Sequence, residues 1–257
     1  MTVLDHLHRE LDTWEERDLQ ASFWWRDDDL GDPTAKLDPL LQCAEHLEIE
    51  PVLAVVPRWA SDALPRRLAD QKVCIAMHGW AHIDHQAGRG KKAEFGDARP
   101  IADLVKDARA GQERLADLFG SEPIDCFVPP WNRTVPDLAK LLPSLGFQGI
   151  STFGTHQDTV QGCGVRWVNT HVDVIDWRGN RRFVGPDPMA EAITKELVSR
   201  RREVGPTCEP IGLLTHHLEM TKNDWTDFEA ICAMLVTHPS TKVLGSRDIF
   251  ARHAFDE

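Results

Sequence analysis

The 257 residues suit one large α/β domain or two small ones, and a hydrophobic fraction of 42% permits a sizeable core. The net charge of −12 argues against nucleic acid and anionic membrane surfaces as main partners. The charged N-terminus lacks a signal-peptide pattern, no apolar run approaches a membrane span, and six scattered cysteines without C-x-x-C suit a reducing compartment. We therefore expect a cytoplasmic protein without membrane insertion.

Strand and helix patterns alternate along the chain after a charged helix predicted over residues 3–18. Apolar segments predict strands at 22–27, 51–56, 72–77, 124–128, 147–152, 211–215 and 241–244, and the run at 51–56 is continuously apolar, as is typical of a strand covered on both faces. Capped or amphipathic segments predict helices at 33–48, 61–71, 99–119, 135–145, 189–202 and 225–236, with a last helix capped by Ser246. The alternation predicts a single domain over 1–257, with a core at about 20–250, built as a β/α barrel or an open doubly wound sheet.

Polar residues follow several of the predicted strands, where a barrel gathers its chemistry. They are the run Asp27-Asp28-Asp29, then His78, then Pro129-Pro130-Trp131-Asn132, then Asp173 to Trp177, and finally His216-His217. Consecutive carboxylates repel one another, and a cation among them removes that repulsion. Each group alone also fits a solvated turn or a hydrogen-bonded side chain. Two long loops, 82–99 and 154–164, are candidates for functional segments.

His78 and His82 lie four residues apart, a spacing that on one helical turn brings two imidazoles close enough to share an ion. Gly79 stands where the H-E-x-x-H motif has its glutamate, so a third ligand and a base must come from elsewhere. A structural or solvated pair is the alternative. His6-Leu7-His8 also has a metal-site spacing, but it falls on the predicted N-terminal helix, and we interpret it as solvated.

The order of these groups resembles the polysaccharide deacetylase family, the NodB-homology carbohydrate esterases, over about residues 20–220. The family motif T-F-D-D-G is similar to Trp25-Arg26-Asp27-Asp28-Asp29 or to the same segment shifted by one residue. H-[ST]-x-x-H then resembles 78–82, R-P-P-x-G resembles 128–132, D-x-x-D-W resembles 173–177 and L-x-H resembles 214–216. The resemblance implies a divergent cytosolic member with a distorted (β/α) barrel of seven or so strands.

The resemblance also implies roles for individual residues. Asp29, His78 and His82 would bind one divalent metal, with zinc favoured and cobalt, nickel, manganese or iron as alternatives. The catalytic residues would be Asp28 as base, the Trp131 N–H as oxyanion donor, His216 as acid and Asp176 as the carboxylate that orients His216. Substrate-binding residues would be Trp177, Trp80, Pro130 and Asn132. His217 competes with His216, but neighbours on a strand point to opposite faces.

Three departures from the family pattern bear on these roles. Gly79 replaces a serine or threonine, Val128 replaces the arginine that pairs with the catalytic aspartate, and the glycine of the first motif is absent. Arg26 or Arg133 are the candidates to supply that charge. The choice of Asp28 and Asp29 from the three aspartates is open on sequence alone.

The activity that the resemblance implies is removal of an N-acyl group, acetyl above all, from an amino sugar. The expected substrate is an intracellular intermediate of bacterial envelope polysaccharide, such as O-antigen or capsule, and the expected partner is a small molecule or glycan. One alternative is hydrolysis of a non-sugar C–N bond in a small cytosolic amide. Another is a catalytically inactive sugar-binding module, which Gly79 and Val128 favour. At least two of five tryptophans near the motifs (Trp24, Trp25, Trp80, Trp131 and Trp177) are expected to line the cleft; the oligomeric state stays open.

Overall fold

A computed structural model describes residues 2–120, 126–154, 164–202 and 209–250. The helices are α1 Val3–Glu16, α2 Leu37–His46, α3 Ala63–Leu68, α4 Ile101–Phe119, α5 Pro136–Leu141, α6 Pro186–Arg202, α7 Lys222–Thr237 and α8 Ser246–Phe250. The strands are β1 Ala21–Leu30, β2 Val52–Val55, β3 Cys74–His78, β4 Cys126–Val128, β5 Gly149–Ile150, β6 Arg166–Trp167, β7 Val172–Asp173, β8 Ile211–Thr215 and β9 Thr241–Val243.

The strands form one curled sheet in the order β6-β5-β4-β3-β2-β1-β8-β7, with β9 paired to the start of β1. Every pairing within it is parallel, so the carboxyl ends of the strands share one edge. This architecture confirms the single α/β domain with an incomplete (β/α) barrel. None of the helices in the described ranges is both long enough and apolar enough to cross a membrane.

Alternation along β1 divides the core into two clusters. Phe23 and Trp25 belong to the larger cluster, where Trp25 packs on Phe228 of α7 with ring centroids 5.1 Å apart. Trp24 belongs to a smaller cluster on the other side of the strand, which includes Phe250 at 5.8 Å. Since side chains alternate on a strand, Arg26 lies on the same side of β1 as Trp24, and Asp27 lies on the same side as Trp25.

The structure departs from the predicted elements mainly near the carboxyl edge of the sheet. β1 continues to Leu30, so the three aspartates lie inside the strand, where its register with β2 shifts between Asp27 and Leu30. The two-residue strands β6 and β7 are too short to give a periodic pattern. The helix predicted at 135–145 becomes α5 and a 3₁₀ turn, which ends at Gly146 with φ of 92°, as predicted.

Asp27 anchors β1 to the segment that follows β8. Its carboxylate accepts hydrogen bonds from Thr215 Oγ1 at 2.6 Å, His217 N at 2.9 Å and His217 Nδ1 at 2.5 Å. Trp25 Nε1 in turn donates to Thr215 Oγ1 at 2.8 Å. All four side chains are buried, so this aspartate is committed to the core.

We predict that Asp27→Ala lowers the free energy of unfolding by about 3–5 kcal/mol, because it leaves His217 and Thr215 buried without their acceptor. Urea unfolding followed by tryptophan fluorescence measures the loss. Asp38→Ala is the control, since Asp38 pairs with Arg67 at the surface, and should cost less than about 1 kcal/mol. Equal losses in the two variants would contradict the structural role of Asp27.

Candidate active site

The shift in register at the end of β1 sends three consecutive carboxylates in three directions. Asp29 adopts a left-handed backbone with φ of 67°. Asp27 points to His217, Asp28 to Arg26, and Asp29 to the two histidines of the H-x-x-x-H segment. The strand thereby separates charges that would otherwise repel one another.

Asp29, His78 and His82 form a compact cluster. Asp29 Oδ1 lies 3.2 Å from Nε2 of His78 and 3.2 Å from Nε2 of His82, yet this buried oxygen accepts no hydrogen bond from the described residues. Nδ1 of His78 donates to the carbonyl of Val128 at 3.0 Å, which leaves the Nε2 lone pair of the neutral ring facing the carboxylate. Ligands of a tetrahedral ion bound at about 2.0–2.1 Å lie about 3.3 Å apart. The cluster therefore fits one divalent cation.

Charges within the cluster favour an ionised carboxylate. Burial acts to raise the pKa of Asp29, but His78, with smaller contributions from His216 and His82, holds it well below its usual range. Burial acts to lower the pKa of His78, but Asp28 and Asp29 outweigh it and raise that pKa. Burial, followed by the charge of His78, lowers the pKa of His82, which keeps this imidazole neutral near pH 7 and available as a ligand.

The histidine pair does not lie on a helical turn, so that sequence interpretation was wrong. His78 ends β3, and His82 follows in an irregular turn with φ of 54°. Glu94, fully buried in the long loop, holds this turn by accepting the N–H groups of Trp80 at 3.2 Å, Ala81 at 2.7 Å and His82 at 3.2 Å. Burial raises the pKa of Glu94, and the three N–H groups oppose that shift. Glu94 was not a sequence candidate, because nothing in the loop pattern marks it as buried.

Arg26 supplies the charge that Val128 lacks. Its Nε lies 2.8 Å from Asp28 Oδ1 and its Nη2 donates to Oδ2 at 3.0 Å, with both side chains buried. Asn132 Oδ1 accepts from the same Nη2 at 2.7 Å, so this predicted substrate residue has a positioning contact instead. Arg133, the other candidate, donates to the carbonyl of Lys92 at the surface.

The Pro-Pro turn presents one unused backbone donor. Trp131 and Asn132 have φ of 55° and 57°, and the N–H groups of Asn132 and Arg133 donate to the carbonyls of Pro129 and Pro130. Trp131 N–H has no acceptor among the described residues, as an oxyanion donor requires. Pro130, predicted to contact the substrate, is buried in this turn.

His216 faces the site, with its ring centroid 4.6 Å from that of Trp177, whereas His217 points to Asp27. Asp176, predicted to orient His216, accepts from Gly179 N at 2.9 Å in a tight turn. Two other carboxylates, those of Asp173 and Asp29, interact electrostatically with His216. Burial raises the pKa of Asp173, and His216 opposes this shift. Asp173 also accepts from Trp177 Nε1 at 2.8 Å, which fixes that indole.

Of the five tryptophans near the sequence motifs, two lie beside histidines of the site. Trp24 and Trp25 are core residues, and Trp80 packs partly buried against the larger cluster. Trp131 lies 4.3 Å from His82 between ring centroids, and Trp177 lies beside His216. Trp59, which the sequence motifs did not indicate, is 42% exposed and lies 5.4 Å from His82.

Comparison with solved structures shows the fold that the sequence motifs implied. A candidate polysaccharide deacetylase from Mycobacterium smegmatis superimposes with a TM-score of 0.66 at 17% identity, over 90% of this chain and 89% of the other. A family 4 carbohydrate esterase from Streptomyces lividans, in complex with acetate, gives 0.53 at 16% identity, over 88% and 91%. A family 4 pseudoenzyme from Bacillus anthracis gives 0.56 at 11% identity, over 90% and 66%. No protein-family model and no curated protein matches the sequence.

We predict that Gly79→Ala destabilises the protein by more than about 3 kcal/mol, since overpacking adds to backbone strain. Gly79 has φ of +62°, and an added Cβ would lie 2.3 Å from Glu94 Oε2 and 2.5 Å from Pro130 Cδ. Gly88→Ala in the same loop is the control, because its φ of +79° is strained but no atom lies within 4 Å. It should cost about 1–2 kcal/mol. Denaturant unfolding compares them, and a Gly79 loss no larger than the Gly88 loss would contradict the packing.

Proposed function

We propose that this chain is a metal-dependent hydrolase that removes an N-acetyl group from an amino sugar of a glycan. The observation that carries the proposal is the orphaned, buried Asp29 oxygen between His78 and His82, next to the paired carboxylate of Asp28. A sugar-binding protein needs neither a cation site nor an adjacent base. The deacetylase fold found in the comparisons supports the same class of reaction.

The chemistry divides between the two sides of the site. A divalent ion held by Asp29, His78 and His82 would supply the Lewis acidity that activates water and polarises the amide carbonyl. Asp28 takes the proton from the attacking water, and the buried ion pair with Arg26 fixes this carboxylate beside the cluster. The N–H of Trp131 donates to the oxygen on which negative charge develops.

His216 acts on the leaving group. Its Nδ1 is buried without a partner among the described residues, and its ring packs against the edge of Trp177. Asp173 stabilises the protonated imidazole, which then delivers its proton to the amine. Trp177 and Trp131 border the space between acid and base and would enclose the acetyl group.

Three finer predictions belong to this proposal. Zinc remains the favoured ion, because mixed imidazole and carboxylate ligation suits it. An intracellular intermediate of envelope polysaccharide remains the expected substrate, and the cytoplasm the expected location.

We predict that the wild type releases acetate from N-acetylglucosamine oligomers after zinc or cobalt loading, as measured by a coupled acetate assay. Asp28→Asn should lower kcat by at least about 10²-fold and keep its metal, because the ligands are intact.

The double variant His78→Ala, His82→Ala should lose one equivalent of metal, measured by elemental analysis, and all activity. The control is His46→Ala, because His46 pairs with Glu229 at the surface and its loss should change neither metal content nor activity. A wild type that binds metal but cleaves neither oligomers nor small acetamides would contradict the hydrolase and favour the binding module.

We predict that Asp173→Asn lowers kcat at least about tenfold, because His216 loses the anion that stabilises its protonated form. Steady-state kinetics at saturating substrate measure the loss. Asp176→Asn is the matched control, because Oδ1 of asparagine still accepts from Gly179, and its kcat should match that of the wild type. An unchanged kcat for Asp173→Asn, or a loss confined to Asp176→Asn, would contradict the assignment.

A further inference from the structure

A second group of metal-ligating side chains lies at the opposite end of the sheet. Nδ1 of His8 is 3.1 Å from Asp12 Oδ2, and Nε2 of His238 is 3.3 Å from Asp12 Oδ1. The ligand atoms of the three residues lie within 4.8 Å of one another. His238 precedes β9, which pairs with the start of β1, whereas Asp29 lies near the end of β1. The two clusters therefore sit at opposite ends of one strand.

The geometry of this second cluster comes from two separate parts of the chain. His8 and Asp12 are one turn apart on α1, which places both side chains on one face of the helix. His238 follows the last turn of α7 and is 93% buried, while the side chains of His8 and Asp12 are 56% and 48% exposed. The cluster is thus fixed on its inner side and open to solvent on its outer side.

The inner histidine is oriented by its other ring nitrogen. Nδ1 of His238 lies 2.9 Å from Ser240 Oγ, and that hydroxyl donates to the carbonyl of Leu11 at 3.1 Å. When Nδ1 carries the proton and donates to Ser240, Nε2 is left with its lone pair directed toward Asp12. Without an ion, this tautomer gives up the 3.3 Å contact from the N–H of Ser240 and the 3.3 Å hydrogen bond from Nε2 to Asp12; a bound cation would replace the second of these. Histidines that ligate metals usually donate their second ring N–H in this way.

We propose that His8, Asp12 and His238 bind one divalent cation of the zinc class, with water completing the coordination, and that this ion fastens α1 to the connection between α7 and β9. Two imidazoles and a carboxylate are ligands that zinc accepts. The two histidines contact different oxygens of Asp12 at 3.1 and 3.3 Å, and the three ligand atoms lie within 4.8 Å of one another, so rotation of the exposed side chains would bring them around one ion. We assign the site a structural role, because it joins two separate elements and lies at the opposite end of β1 from Asp29.

This site also changes the interpretation of the His6-Leu7-His8 segment. Residues two apart on a helix do not face each other, so His6 and His8 cannot share an ion. His8 instead contacts Asp12, and Asp12 also contacts His238, which lies 226 positions farther along the chain. A cation that binds only the folded chain raises its stability by mass action, and the effect here would act on the N-terminal helix.

The test uses the full chain with His78→Ala and His82→Ala, so that the outcome does not depend on the proposed function. Zinc titration by calorimetry should show one remaining equivalent, and zinc should raise the melting temperature by several degrees over a chelator. Adding His8→Ala should remove that equivalent or weaken binding at least about tenfold, and should abolish the thermal shift. His8 is exposed, so its removal leaves the core intact.

His6→Ala in the same background is the matched control and should keep the equivalent and the thermal shift. Cobalt gives an independent readout, because tetrahedral ligation by two imidazoles produces visible absorption that His8→Ala should remove. The proposal is overturned if the background variant binds no zinc after loading, or if His8→Ala and His6→Ala bind it equally. Either result would leave the cluster as a hydrogen-bonded set in which Asp12 bridges two histidines.

Discussion

Three adjacent carboxylates cannot occupy one buried environment without cationic partners, and the arrangement of the site follows from that constraint. The shift in register at the end of β1 gives Asp27, Asp28 and Asp29 separate surroundings. Asp27 pairs with His217 on the helix side, Asp28 with Arg26, and Asp29 with two histidines. One strand therefore contributes a structural anchor and the two carboxylates to which we assign the roles of base and metal ligand, and β2, β8 and β9 hold it on both sides.

The surrounding loops hold conformations that are unfavourable in isolation. Asp29, His82, Trp131 and Asn132 all have positive φ, which costs on the order of 1–3 kcal/mol per residue. Three N–H groups bound by Glu94 stabilise the His82 turn, and buried packing of Pro130 supports the turn beside it. Such backbone strain persists only where neighbouring contacts hold the conformation in place. Here the strained residues direct the side chains of Asp29 and His82 and the N–H of Trp131 toward the candidate site.

The sequence was sufficient for the order of the longer strands and of the helices, because apolar segments and helix caps mark them, but not for the two-residue strands β6 and β7. It also indicated the candidate metal cluster and the histidine at the end of β8, since these side chains lie at or directly after the ends of strands. For the carboxylate beside His216 it indicated Asp176, whereas in the folded chain Asp173 interacts electrostatically with His216. Asp173 and Asp176 lie in a segment where β7 has two residues, so no period shows which side chain points inward. Glu94 was missed because its burial depends on contacts with a turn twelve or more residues away.

The arginine on β1 has a consequence for how such sites can vary. Arg26 and Asp28 are two residues apart on one strand, so the local backbone sets their separation before the rest of the sheet assembles. An arginine on β4 would instead need the correct spacing of several strands to reach the same carboxylate. With the charge supplied locally, position 128 is free to be an apolar residue that packs inside the curled sheet. Loss of the arginine from the third motif is therefore weak evidence for an inactive chain when another arginine stands two positions before the base.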